Sequence, residues 1–540
     1  MLPSGEMRAR SPRRRSPLAR LALGVCAAAL LAACTNTSSP PPATPSPPPG
    51  TNPTPTQANP SASLGAVSPG PSTTSLSVPL ALVVDVRDKR DGLSIAATRA
   101  AIPGALVPCG IGELKLAGQA VAAPKVACLP GDQIEAKVHG NAKAVAVIPP
   151  GLVSARVKVL RVGGADLFGP PSVRKLEYPL VGTATGLPAA WTAYDVADVR
   201  TLVSTGDTCP DRGPAKAAIV QGKGWPWILN GGTARYTGTY MDTRFSGPTG
   251  NGWPVVKAVR KGDTGKVRAL IADADITVND FECPMLAKFV YHPKGTIFNV
   301  DPKVAPLLAS GGVDVVTLGS NHITDAGTSG VKQTLAYLDA NKIKHVGAGL
   351  NLSQALQPAV VDVRGLRFAF VGWDDIAGSA AASATRAGAA TLSDANVKAS
   401  LAAARAQADI VFAMPQWGWP EYHAGFTKQQ LAQRTQFFAA GADHVLGSGT
   451  HWASAVSITP DSSGADHFVI SSHGNFLFGQ DWSRQTMEGV VVELTFNGKQ
   501  LVQARLHPYV VLEQAQPNLV DPLTDGRYVL DQVWKVSQLP

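Results

Sequence analysis

GGVDVVTLGSNHITDAGTSGVKQTLAYLDANKIKHVGAG, residues Gly311 to Gly349, reads as one β-α-β unit. Val313 to Leu318 is a short apolar run with the length and composition of a buried parallel strand. The turn Gly319-Ser320-Asn321-His322 ends it, and Thr328 or Ser329 then caps a helix with Val331, Leu335 and Leu338 on one face. Asn341 stops the helix and Ile343 to Val346 opens the next strand. Asn321 and His322 therefore stand at the carboxyl end of the first strand, where open α/β sheets bind ligands. An amide oxygen can ligate a metal and an imidazole can move a proton. A lone Asn-His pair more often marks a polar turn that does no chemistry.

Working outward, strand patterns recur at Thr201–Thr205, Asp275–Val278, Arg367–Val371, Ile410–Met414, His444–Leu446, Phe468–Ser471 and Val490–Phe496. Helical patterns lie between them, including Ala395–Ala406 and Thr427–Ala440, the second opening on a capping box of Thr427 and Gln430. This alternation predicts the α/β class, with a parallel or mixed sheet covered by helices. Polar clusters follow the strands: Gly206-Asp207 with Arg212, Asp280-Phe281-Glu282-Cys283-Pro284, Gln416-Trp417-Gly418 with Glu421-Tyr422, Gly447-Ser448-Gly449-Thr450-His451, and Ser472-His473-Gly474-Asn475-Phe476. Carboxylates at strand ends can hold a divalent cation, and Arg can clamp a phosphoryl or carboxylate oxygen. If its strand stays extended, Asp280 faces the same way as Glu282. If not, Asp280 is a solvated turn residue. His473 reads as a packing residue.

Gly319-Ser320-Asn321-His322 with Asp325, Gly327 and Gly330 resembles the A-N-N-H-x-x-D-x-G-x-x-G signature of the CapA capsule-synthesis family, which is similar to calcineurin-type metallophosphoesterases. Asp301 to Val316 and His345 to Trp373 resemble it too, and the resemblance runs from about Thr201 to the C-terminus. It implies a four-layer α/β/β/α metallophosphoesterase-like sandwich. It also implies that Asp207, Glu282 and His451 hold one metal. A second site would take Glu282, Asn321 and two imidazoles, but Gln416 and Gly449 stand at those positions. Gln416 offers only a carbonyl oxygen, and Asp280 replaces a lost ligand if it faces inward. The expectation is one tightly held divalent ion (Mn, Mg, Zn or Fe), a second absent or weak, and low or no phosphoesterase activity. His322, supported by Asp325, and Arg212 would serve any bound oxyanion.

Four cysteines lie beyond residue 77. If Asp207 and Glu282 share a metal, as the resemblance implies, their backbones lie within about 10 Å. Cys209 and Cys283 then come within disulfide reach, leaving Cys109 for Cys128. An exported location fits such pairing.

Residues 1 to 33 carry six Arg and one Glu, followed by the apolar run Leu21 to Ala33, too short for a comfortable membrane span. Leu31-Ala32-Ala33-Cys34 resembles a bacterial lipobox, which implies lipidation at Cys34 and anchoring to the outer face of the cell membrane. An ordinary signal peptide cut nearby is the alternative. The whole chain is +9, but without residues 1 to 33 it carries 42 basic and 38 acidic side chains, about +4. That charge makes no case for nucleic-acid binding. Residues 34 to 77, rich in Pro, Ser and Thr, read as a tether. Residues 78 to 198 read as a smaller α/β or β-rich domain, in part resembling one lobe of phosphate-type solute-binding proteins, and 199 to 540 as the CapA-like domain. The expected role is synthesis or attachment of an anionic capsular polymer of poly-γ-glutamate type, together with its synthesis machinery. The alternatives are a non-catalytic polymer-binding scaffold and a general exported metal-dependent phosphoesterase.

Overall fold

The computed structural model describes residues 75 to 539, apart from 377, 379 and 419. Cys34, the lipobox, the basic leader and residues 34 to 74 of the tether lie outside the described residues. The expected tether boundary at 77 is two residues late, because Leu76 and Ser77 already pair with Ala184 and Thr183 in the strand Leu76–Pro79. No helix among those described is long and apolar enough to cross a membrane.

Two sheets face each other. In the first, the order is Trp253–Lys261, Thr233–Asp242, Gln516–Leu519, Gln500–Leu512, Glu488–Asn497, Val199–Thr208, Ile276–Phe281, Val315–Thr317 and Lys344–Val346, with Asn475–Leu477 also pairing to Val199–Thr208. In the second it is Ala359–Val363, Leu366–Asp374, Ile410–Gln416, His444–Leu446, Asp466–Ile470 and Val456–Pro460. The first sheet is parallel from Val199–Thr208 out to the edge strand Lys344–Val346 and largely antiparallel on its other side, which ends in the hairpin of Thr233–Asp242 and Trp253–Lys261. In the second, parallel pairing from Leu366–Asp374 to Asp466–Ile470 is closed at both edges by hairpins. Val199–Thr208, Ile276–Phe281 and Ile410–Gln416 are buried along their whole length because both faces are covered. The last is largely apolar, while the first two carry polar residues toward the ends that reach the site.

Leu202, Ile276, Val278 and Val315 of the first sheet share one core with Phe368, Phe370, Phe412 and Ile458 of the second. Phe370 and Phe412 stack at 5.2 Å between centroids. Truncating Phe412 to Ala would remove contacts from both layers, at a cost of about 3–5 kcal/mol. Helices cover the outer faces. Val331, Leu335 and Leu338 of Gly327–Ala340 pack with Val304 and Leu308 in one outer core; Val397, Leu401 and Phe437 line the other. The CapA-like part is thus an α/β/β/α sandwich.

The β-α-β unit forms with one correction. Thr328 and Ser329 lie inside the helix, whose N-cap position is Ala326 without a side-chain cap, because Gly327 at φ 60° starts the turn earlier. Asn341 is the C-cap, and the Thr427–Gln430 capping box is present. The hairpin Thr233–Asp242/Trp253–Lys261 and the long strand Gln500–Leu512 extend the first sheet beyond the strands read from the sequence.

Before the sandwich, Ala81–Asp85 lies between Ala146–Ile148 and Val157–Val159, next to a second small sheet built on Leu180–Ala184. The Cys109–Cys128 disulfide ties this region internally. It rests on the strand Gln500–Leu512: Val159 N donates to Gln503 Oε1 at 2.9 Å, and the buried Arg505 donates to Val159 O at 2.6 Å and pairs with Asp166 at 2.6 Å.

Candidate metal centre

Asp207 ends the central strand of the first sheet. A register shift between Thr205 and Asp207 re-aims this strand end. Gly206 makes it possible, since a β-carbon there would lie 1.9 Å from Gly474 O. The neighbouring strand runs through Asp280 to Phe281, so Asp280 is not a solvated turn residue: it is buried, with its carboxyl against Glu282 and Ser448. Beside them the turn after His444–Leu446 brings in His451, at φ 60°.

Asp207, Glu282 and His451 are all buried, and one ligand atom from each lies within 4.8 Å of the others. Asp207 Oδ2 faces His451 Nδ1 at 2.9 Å, but Nδ1–H donates to Asn475 Oδ1 at 2.9 Å, and Asp207 Oδ2 is left without a donor. Asp280 Oδ1 and Oδ2, Glu282 Oε1 and Gln416 Oε1 are likewise buried without a donor. Burial, then the adjacent Asp207 carboxylate, pushes both Asp280 and Glu282 well above the usual carboxylate range. Such a set is costly as it stands, because buried polar atoms are normally paired. A divalent cation would satisfy these oxygens together and cancel their mutual repulsion, so the residues present fit one.

The second half of the arrangement differs. Gln416 Nε2 donates to Asn321 Oδ1 at 3.3 Å, bringing Asn321 to the edge of the cluster. Gly449 sits at φ +86°, its N–H donates to Asp207 Oδ1 at 3.2 Å, and a β-carbon on it would lie 2.6 Å from Gln416 Cγ. Gln416 thus fills the space a Gly449 side chain would need.

His322 stands further out. Asp325 Oδ2 accepts from its Nδ1 at 2.9 Å and from Phe298 N at 2.7 Å, and the His322 ring meets Phe298 edge to face at 4.6 Å between centroids. Nε2 is left free by this tautomer. Arg212, at φ 41°, lies 4.5 Å above the same Phe298 ring and donates to Gly295 O at 3.3 Å. It pairs with no carboxylate among the described residues. The positive φ values of Arg212, Tyr422 and His451 concentrate backbone strain at this end of the sheets. Cys209 and Cys283 form a disulfide with Cα atoms 5.4 Å apart, joining the two strand ends that carry Asp207 and Glu282.

Three residues of this region escaped the sequence reading as site residues. Asn475 orients His451; its signal was the Gly474-Asn475-Phe476 segment. Phe298, between Arg212 and His322, lies in a loop with no pattern to mark it. Asp374 pairs in register with Gln416 and is pushed up to about 7, by burial first; its signal is its place at a strand end.

Comparison with known proteins adds the following. The family model described as "Bacterial capsule synthesis protein PGA_cap" matches residues 201–480. The capsule biosynthesis protein CapA of Bacillus anthracis is 25% identical over 281 residues, covering 50% of this chain and 66% of that protein. The PGA biosynthesis protein CapA of Bacillus subtilis (strain 168) is 25% identical over 231 residues, covering 42% of this chain and 59% of that one. The chain thus spans less than two thirds of the length of either relative. Among solved structures, the NAD nucleotidase NadN of Haemophilus influenzae aligns with a TM-score of 0.33 at 12% identity, covering 63% of this chain and 57% of that one. The calcineurin-like phosphoesterase YfkN of Bacillus subtilis aligns at 0.27 and 11%, covering 62% and 98%.

Proposed function

The chain belongs to the bacterial capsule synthesis protein family PGA_cap, and from that premise we propose that it is an exported, lipid-anchored protein acting in synthesis or attachment of an anionic capsular polymer of poly-γ-glutamate type. Cys34 is the proposed anchor, the Pro/Ser/Thr-rich segment after it the tether, 76 to 198 an accessory domain and 199 to 540 the working domain. Two disulfides support passage through an oxidising compartment.

One observation carries the catalytic part: buried Asp207, Glu282 and His451 converge with carboxylate oxygens that no donor satisfies. These three residues would hold a divalent metal, Mn, Mg, Zn or Fe, with Asp280 beside them. When bound, the ion supplies Lewis-acid activation of water and of a phosphoryl oxygen. The chain's own residues do the rest. Asp325 accepts from His322 Nδ1–H and leaves Nε2 free. In its imidazolium form, paired with the Asp325 carboxylate, His322 carries a second proton on Nε2 that it can pass to a leaving oxygen. Arg212, stacked on Phe298 and paired with no carboxylate among the described residues, offers its guanidinium to a phosphoryl or acyl-phosphate oxygen. Asn475 holds the His451 ring.

A second reading, fold retained but site partly degenerate, draws on Gln416 and Gly449: one offers a weak oxygen ligand and the other none. It predicts one tight metal, a weak or missing second, and low turnover, with the protein serving as a polymer-binding scaffold. Deleting the gene and measuring surface polymer tests the capsule role; undiminished polymer contradicts it and leaves a general exported phosphoesterase. Turnover of a chromogenic phosphoester by the full chain, lost in Glu282→Gln, supports catalysis. Equal, negligible rates in both proteins support the scaffold.

A further inference from the structure

His451 lies between two aromatic arms. One runs through Phe478, 4.9 Å away between centroids, to Phe298, where His322 and Arg212 meet. The other is unassigned. Tyr422 lies 5.6 Å from His451 and belongs to a closed cycle of half-buried rings: Tyr422 to Trp482 at 4.9 Å, Trp482 to Trp253 at 5.4 Å, Trp253 to Trp452 at 5.7 Å, and Trp452 back to Tyr422 at 6.5 Å. Phe245, 53% exposed, extends the cycle outward by packing on Trp482 at 5.6 Å.

Four separate segments supply these rings. Trp253 and Phe245 come from the Thr233–Lys261 hairpin, Tyr422 from the loop after Ile410–Gln416, Trp452 follows His451, and Trp482 precedes the short helix Arg484–Met487. Tyr422 is held at φ 55°, its N–H donates to Thr450 O at 3.0 Å and its hydroxyl accepts from Gln480 Nε2 at 3.1 Å, so this ring is fixed beside the metal ligand.

The rim decides what the arm would bind. Arg244, half exposed, bridges Asp242 at 2.5 Å and Asp481 at 2.7 Å. Two carboxylates against one guanidinium leave it net negative, which opposes a polyanion such as a glutamate polymer. The other arm, where Arg212 meets no carboxylate among the described residues, suits a phosphoryl group. The rings of this arm meet at 57–78° wherever Trp482 or Trp253 takes part. The adjoining indoles cross at 72° and 78°, so neither pair offers two parallel faces to sandwich a nucleobase. An indole face can pack on the C–H groups of a sugar ring, and the side chains of Asp242, Arg244 and Asp481, beside Phe245 and Trp482 in the chain, can bond its hydroxyls.

We infer that the Tyr422–Trp482–Trp253–Trp452 cluster is a saccharide subsite, and that the ester handled at the metal centre carries its phosphoryl group on a sugar. This rests on the phosphoester reading above.

The test is calorimetric titration of the full chain, loaded with Mn²⁺, with three hexose 1-phosphates (glucose, N-acetylglucosamine, mannose), with glycerol 1-phosphate and with uridine monophosphate. At least one hexose ester should bind about 10-fold tighter than glycerol 1-phosphate. Trp482→Ala should bring the two within about twofold, and Phe245→Ser, at an exposed position that tolerates the change, should reduce the advantage in the same direction. Hexose and glycerol esters of equal affinity in the wild type, an advantage untouched by both variants, or tighter binding of uridine monophosphate would each overturn the subsite. If no ester binds, the phosphoester reading fails, and the methyl glycosides of the same hexoses decide the subsite separately: heat of binding lost in Trp482→Ala supports it, and no heat overturns it.

Discussion

A β-carbon on Gly449 would lie 2.6 Å from Gln416 Cγ, so the two positions share one volume beside Asp207. Their identities are therefore coupled. Gly449→Ala also places a side chain at φ +86°, and together the strain and the clash should cost about 1–3 kcal/mol. In the double variant with Gln416→Ala the clash disappears, and the two effects should fall short of additive by at least about 0.5 kcal/mol. Urea unfolding of the four proteins in the cycle measures this; strict additivity would show that the positions do not share space.

The Cys209–Cys283 disulfide closes a separation of 74 residues, and Cys109–Cys128 one of 19. Chain entropy puts their contributions at about 4.5 and about 3 kcal/mol. Only the first should affect metal binding, because it joins the strand ends bearing Asp207 and Glu282. Replacing Cys209 and Cys283 by Ser should weaken metal affinity by about 10-fold or more, while replacing Cys109 and Cys128 should change stability alone. Metal titration of both double variants checks the split.

Glu493 is fully buried where residues 75–198 meet the sandwich. Burial opposes its ionisation, but the hydrogen bond from His507 Nε2 at 3.0 Å and the charge of Arg505 outweigh it, holding the carboxyl at about 2 against its ordinary 4.5. Asp166, Arg161, Lys158 and Asp91 complete the surroundings. A folded-state value below the unfolded one stabilises the fold above pH 4.5, and this contribution is lost as the pH falls through about 2. It amounts to the order of 3 kcal/mol. In Glu493→Gln the part of the acid stability slope between about pH 4.5 and 2 should flatten accordingly. An unchanged slope in pH-dependent denaturant titrations would contradict this account of the junction.

Under the proposed anchoring, Cys34→Ala should release the protein from membranes and leave its thermal unfolding unchanged, since a Pro/Ser/Thr-rich tether would separate the lipid from the folded part. Sedimentation of Cys34→Ala with membranes in high salt would reject the proposed anchor.

Asn321 was legible from the apolar run Val313 to Leu318 that points to it. Asp207, Glu282 and His451 were legible through the motif resemblance, since strands such as Val199–Thr208 and Ile276–Phe281 are too polar to leave an apolar run. Asp280 was ambiguous because the pattern fixes strand ends poorly, and one residue more or less decides whether a side chain faces the sheet or solvent. The hairpin Thr233–Lys261 was missed because its outward positions are exposed and mixed in character, so no clean alternation marks it. Trp253, on a strand, and Trp482 and Phe298, on loops, meet their partners only through contacts between segments distant in sequence, which no local pattern records. The Thr328/Ser329 cap failed because Gly327 at positive φ lets the helix begin without a side-chain cap.

The central claim is that Asp207, Glu282 and His451 form one tight metal site while the Gln416/Gly449 side does not hold a second. Elemental analysis of the purified full chain after exhaustive dialysis tests it most directly. The account predicts one equivalent of divalent metal per chain, absent from Glu282→Gln and from His451→Ala. Two retained equivalents, one of them lost on Gln416→Ala, or no metal at all in the wild type, would contradict it.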